Sequence, residues 1–146
     1  MKKILLAAFA VVLTCTAFAN PGKDVNEKVL DAFQKTFVNA SQVVWHEFPD
    51  YYEVRFLQGN IDSRVKYDTQ GKILEAVRYY KEENLPLLVK AKINTKYPDK
   101  KIYGVTEISS DAELSYYIVL EDGKTWTNIK CDYLGNISLQ KKFKKA

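Results

Sequence analysis

Residues 65 to 73 read VKYDTQGKI, and residues 129 to 137 read IKCDYLGNI. The two stretches share an apolar-Lys-x-Asp-x-x-Gly-x-Ile pattern, sixty-four residues apart. Self-similarity at a fixed spacing is the signature of repeated supersecondary units. The match extends outward without gaps. Tyr52 aligns with Tyr116, Val54 with Ile118, Phe56 with Leu120, Gly59 with Gly123, and Tyr79 with Phe143. Asp68 aligns with Asp132, Gly71 with Gly135, and Tyr67 with Cys131. A duplicated unit is therefore expected, and each D-x-x-G reads as a hairpin turn. Aspartate at the first position can bond its own backbone two residues on, and glycine takes the left-handed conformation such turns require. Asp68, Gly71, Asp132 and Gly135 are thus expected to be structural rather than catalytic.

Each repeat has room for one helix and four strands. In residues 24–40, Val25, Val29, Ala32, Phe33 and Phe37 fall at three- and four-residue steps, the spacing of one helix face. Asp24 is the expected N-cap, with Glu27 completing a capping box. QVVWHEF, YYEVRFL, DSRVKYD and KILEAVRYY then read as strands, separated by turn residues. A second helix is expected over residues 85–97, opened by Pro86 and stopped by Pro98, with Leu85, Leu88, Val89, Ile93 and Tyr97 as its apolar stripe. KIYGVTEI, LSYYIVLE, KTWTNIKCD and NISLQKKF follow as strands. The helices align at a shorter offset, Phe37 with Tyr97, so the second unit carries extra residues before its second strand. The expected fold is α+β: one continuous antiparallel sheet of about eight strands with both helices on one face.

Strand alternation sorts the side chains. One face takes Tyr52, Val54, Phe56, Val65, Tyr67, Ile73, Val77 and Tyr79. From the second unit it takes Tyr116, Ile118, Leu120, Ile129, Cys131, Ile137, Leu139 and Phe143. This face is apolar and suits a helix cover; Glu75 and Lys141 break its parity, as an edge or a bulge would. The other face takes Tyr51, Arg55, Lys66, Tyr117, Trp126 and Lys130, with no third layer to cover it. Tryptophan, tyrosine and arginine on an open face have the composition of binding hot spots. A solvated sheet whose aromatics merely shield the backbone is the competing reading.

The N-terminus sets the compartment. MKKILLAAFAVVLTCTAFAN has a basic start, an apolar run and the small-x-small triplet Ala17-Phe18-Ala19, the layout of a secretory signal peptide. Cleavage after Ala19 is expected, leaving residues 20–146 as a single domain of two repeats, about 24–80 and 84–144. Lipid attachment at Cys15 is the less favoured route, because Thr14 stands where a small residue is wanted. A periplasmic or secreted monomer is expected, with no transmembrane segment in the mature chain. The whole chain carries +4, and removing Lys2 and Lys3 leaves +2, which gives no case for nucleic acid. Only Cys131 then remains, so no internal disulfide can form and a buried thiol is expected.

Enzyme chemistry finds no constellation. His46 is the single histidine, which excludes a two-histidine metal site. Alternation separates His46 from Cys131, and Ser109-Ser110-Asp111 reads as a loop. No G-x-S-x-G, phosphate loop or calcium loop is present. No cofactor and no metal are expected.

The helix ending near Phe37, Val43-Val44-Trp45, the Y-x-V-x-F of Tyr52 to Phe56, the VKYDTQGKI turn, Leu85-Pro86, Tyr97-Pro98 and the second D-x-x-G together resemble the PepSY-like, β-lactamase-inhibitor-like proteins. These are small exported proteins of Bacteroidetes-type bacteria. The resemblance implies a tandem helix-plus-four-strand repeat whose concave sheet face binds. It also implies a departure: inhibitors of that fold carry disulfide-stapled units, and this chain cannot make one. The expected function is a non-enzymatic protein-binding or inhibitor-like module whose unidentified partner is a protein such as an exported hydrolase. The alternative is a small-ligand or envelope-stress protein with a pocket between helices and sheet.

Overall fold

The computed structural model describes residues 25–146. The signal peptide and Cys15 lie outside the described residues, and the N-cap of the first helix is Asn26 rather than the expected Asp24, so Glu27 is the first helical residue and closes no capping box. Helix α1 spans Glu27–Thr36 and is capped by Asn26, whose Oδ1 accepts from the Lys28 N–H at 2.8 Å. Four strands follow: β1 (Ser41–Glu47), β2 (Tyr52–Gln58), β3 (Ile61–Tyr67) and β4 (Ile73–Tyr80). A 3-10 turn at Glu82–Asn84 leads into α2 (Leu87–Lys96), with Pro86 at its N-cap. Then come β5 (Lys101–Ser110), β6 (Leu114–Glu121), β7 (Thr125–Asp132) and β8 (Ile137–Lys144). All eight strands form one open antiparallel sheet in sequence order. The helix-plus-four-strand order thus occurs twice along the chain. Ser109 and Ser110 close β5 rather than forming a loop, because the Ser110 N–H bonds the Glu113 carbonyl at the hairpin end.

Two apolar clusters hold the fold. Val29 and Phe33 of α1 pack with Tyr52, Val54, Phe56, Val65 and Tyr67. Val89 and Ile93 of α2 pack with Leu85, Val105, Tyr116, Ile118, Leu120, Ile129 and Cys131, and with Tyr80 from β4. Cross-strand pairing relates the two sets. Val65 opposes Ala76, Ala76 opposes Ser109, and Ser109 opposes Leu114, two residues before Tyr116. Both clusters therefore lie on one side of the sheet, called the helix face below. Burying each aliphatic or aromatic side chain here contributes roughly 1.5–3 kcal/mol. Leu88, expected in the α2 stripe, is instead 55% exposed, since the helix begins later than its sequence pattern suggests and Leu85 fills that place from the preceding turn.

Bulges re-aim the strand ends. Lys66 opposes Glu75 while Tyr67 opposes Ile73, leaving Leu74 as an extra residue in β4. Asn128 opposes Lys141 while Ile129 opposes Leu139, leaving Gln140 extra in β8. One extra residue moves everything beyond it to the opposite face. Val77, Tyr79 and Phe143 were expected on the helix face; they lie on the open face, with Glu75 and Lys141. Ala76 and Tyr80 take the helix face instead. Leu139 keeps the helix-face parity but is exposed on the edge strand.

Candidate protein-binding face

Each helix meets its own hairpin turn. Asp68 Oδ1 accepts from the backbone N–H groups of Gln70 and Lys72, at 2.8 and 2.9 Å. Asp132 Oδ1 accepts from those of Leu134 and Asn136, at 2.9 and 2.8 Å. Asn136 also donates its side-chain amide to Asp132, and these bonds hold the Asp132 carboxyl below its ordinary pKa. Gly71 and Gly135 have φ of +87° and +82°. A Cβ on Gly71 would sit 2.9 Å from the Lys28 carbonyl oxygen of α1, and one on Gly135 would sit 2.4 Å from the Lys92 side chain of α2. The turns fix where the helices lie, which leaves the opposite sheet face without a helix.

That open face has two characters. Across the first unit, and toward the Glu113 end of the second, each cation has a carboxylate. Arg55 makes two bonds to Asp62, the shorter at 2.6 Å, and its pKa is raised by that partner. Arg64 lies 3.8 Å from Glu53. Lys66 pairs with Glu75 at 2.9 Å and reaches over the Tyr51 ring, which stacks on Phe48. Lys130 pairs with Glu113 at 2.6 Å and lies over the Tyr117 ring. The pairing raises the Lys130 pKa and lowers that of Glu113, as an opposite charge at bonding distance must.

The other end, in the second unit, is aromatic. The Trp126 ring meets Tyr103 edge-on at 4.9 Å between centroids, and Phe143 is its register partner on β8. Tyr103 is the extra residue of a third bulge, between Ile102 and Gly104. Lys145 lies 4.3 Å over Trp126, Lys81 4.4 Å over Tyr103, and Lys141 5.8 Å over Phe143. Tyr79 and Tyr117 extend the aromatic surface through Thr106, which stands between them in register.

All six side chains expected at the site, Tyr51, Arg55, Lys66, Tyr117, Trp126 and Lys130, fall on this face, but not in one cluster. Tyr51 and Lys66 sit together, Tyr117 and Lys130 sit together, Arg55 faces Asp62, and Trp126 belongs to the aromatic end. Sequence reasoning missed Tyr79, Tyr103 and Phe143, together with Lys81, Lys141 and Lys145. Tyr79 and Phe143 were lost to the bulges, whose only signal was the parity break at Glu75 and Lys141.

Reactive groups are dispersed. His46 is exposed on edge strand β1, opposite Glu53 on the open face. Cys131 is fully buried on the helix face of β7, and burial raises its thiol pKa. Among the described residues no three His, Cys, Asp or Glu side chains gather as metal ligands. The described groove between α2 and the second turn, lined by Lys92, Lys96, Gly135, Asn136 and Ile137 among others, opens to solvent.

No protein-family profile and no curated protein sequence matches this chain. Solved structures do. A BLIP-like protein from Bacteroides fragilis NCTC 9343 superposes with a TM-score of 0.58 at 18% identity, over 82% of this chain and 85% of that one. A DUF2874 family protein from Bacteroides uniformis ATCC 8492 gives 0.56 at 18%, over 81% and 88%. A protein from Bacteroides eggerthii DSM 20697, described provisionally as periplasmic, gives 0.57 at 15%, over 82% and 88%. The chain therefore has the fold of BLIP-like and DUF2874 family proteins of Bacteroides.

Proposed function

We propose that this chain is an exported, non-enzymatic binding module that engages a protein through its open sheet face. The carrying observation is the run of partly exposed aromatics on that face, Tyr79, Tyr103, Tyr117, Trp126 and Phe143, with no described helix over them. Aromatic rings bring large contact area at low entropic cost, which suits an interface centre. The dispersal of His46, Cys131 and the carboxylates supports binding over catalysis. No described helix is long and apolar enough to cross a membrane, and the fold is shared with a protein described provisionally as periplasmic. Both fit the signal peptide read in residues 1–19.

The test is affinity capture from cell-envelope extract with residues 20–146 as bait. A Trp126→Ala, Tyr117→Ala double variant is the control, and both baits are first checked for equal melting temperature. A protein retained by the wild type and lost by the variant supports the reading. The same proteins on both baits would sink it.

A further inference from the structure

We infer that the aromatic end of the open face takes an acidic protein segment, one presenting an aromatic or branched apolar side chain between carboxylates. The inference rests on the reading of this face as a protein-binding surface and names its partner's chemistry. Charge accounting carries it. Arg55, Arg64, Lys66 and Lys130 each have a carboxylate of their own, Asp62, Glu53, Glu75 and Glu113. Around Trp126, Tyr103 and Phe143 the balance breaks. Lys145 has Glu121 at 2.8 Å, but Lys81 and Lys141 make no ion pair among the described residues. Among the described residues Glu121 is the one carboxylate ion-paired to any of these three lysines, and its cross-strand partner on β5 is another lysine, Lys101.

Three ammonium groups therefore stand over three rings, and among the described residues one of them, Lys145, is ion-paired. A lysine over a ring keeps part of its hydration and its full charge, so it remains available to an incoming anion. An apolar centre rimmed by unmatched positive charge complements an apolar residue flanked by aspartate or glutamate, and such rims set partner choice and association rate. Trp and Lys also mark lipid interfaces. Here the rings lie within the strand rows, Trp126 half-buried between Glu121 and Phe143, rather than on a protruding loop, which favours an inserted side chain over a bilayer.

A random peptide library displayed on phage and panned on residues 20–146 tests this without naming a partner. The comparison proteins are Lys81→Glu, Lys141→Glu, Lys145→Glu combined, the same three positions changed to Gln, and Trp126→Ala with Tyr117→Ala. Each is checked for an unchanged melting temperature. Enriched peptides should carry an excess of Asp and Glu around one aromatic or branched residue. The Glu triple variant should bind them about tenfold or more weakly, the Gln variant should fall between, and about 0.5 M salt should weaken all binding. Neutral or basic peptides that need Trp126 but not the lysines would overturn the acidic chemistry and leave the face intact as a binding surface. Peptides indifferent to Trp126 and Tyr117 would overturn both. So would an absence of enrichment. Pelleting with phosphatidylglycerol vesicles that the Glu triple variant abolishes would assign the patch to lipid and overturn the inference.

Discussion

At the residue scale, the paired hairpin turns make the sharpest statement about stability. Gly59 and Gly71 both have positive φ, +61° and +87°, yet their surroundings differ. A Cβ on Gly59 meets nothing within 4 Å, whereas one on Gly71 presses on the α1 backbone. Gly59→Ala should cost only the left-handed penalty, about 1–2 kcal/mol. Gly71→Ala should cost clearly more, because a helix must move; equal losses in urea titrations would remove the helix from the account. Lys100, the Lys124 and Thr125 backbone and the Thr125 hydroxyl all bond Asp122, and its pKa falls far below the ordinary value. A depressed carboxylate binds fewer protons folded than unfolded, so its stabilisation is complete above the unfolded pKa, about 3.9, and fades as pH falls toward the folded one. Melting temperature should therefore drop between about pH 5 and 3 in the wild type. Asp122→Asn should show a smaller drop over that interval and a lower value at pH 7. The Asp turns were fully legible in the sequence, because D-x-x-G states its own backbone chemistry. The Lys100–Asp122 pair was not, since it joins residues whose proximity only the folded sheet decides.

At the element scale, helix existence was legible and helix phase was less so. The three-and-four spacing found α1 and α2, and it named Val29, Phe33, Val89 and Ile93, all buried. It also admitted Leu88, because a stripe read from spacing includes whichever apolar residues fall near it. Ile93→Ala should destabilise by about 2–5 kcal/mol, as a buried large-to-small change does. Leu88→Ala should stay within about 0.5 kcal/mol. Equal losses in denaturant midpoints would mean that α2 presents a different face. Strand parity behaved similarly. Up to each bulge, alternation assigned β2, β3, β6 and β7 to their faces, since period two is strict where pairing is regular. Beyond Leu74 and Gln140 it inverted. An extra residue leaves no mark in composition, so Tyr79 and Phe143 were assigned to the core and the aromatic end of the open face stayed hidden.

For the whole molecule, the question is whether two similar units behave as one. The seam between β4 and β5 says they do. Six cross-strand pairs join those strands, from Glu75–Ser110 to Tyr80–Val105. Glu107 of β5 takes a hydrogen bond from Arg78 at 3.1 Å and another from the Tyr80 hydroxyl, both on β4. Tyr80 is also packed inside the second apolar cluster, and burial with the Glu107 bond raises its pKa far above normal. A first-unit strand thus supplies part of the second unit's core, and the second cluster is incomplete without it. Cooperative two-state unfolding is the expectation for units joined in this way. The chain has one tryptophan in each half, Trp45 against the first cluster and Trp126 on the second unit's open face. Trp126→Phe leaves a reporter of the first half, and Trp45→Phe one of the second. In the Trp45→Phe background, Phe33→Ala, a cavity in the first cluster, should still lower the Trp126 transition midpoint, by the equivalent of about 3–5 kcal/mol. The two reporters should also give coincident curves without the cavity. A Trp126 transition that ignores Phe33→Ala would show that the seam does not couple the units, and that each repeat folds on its own.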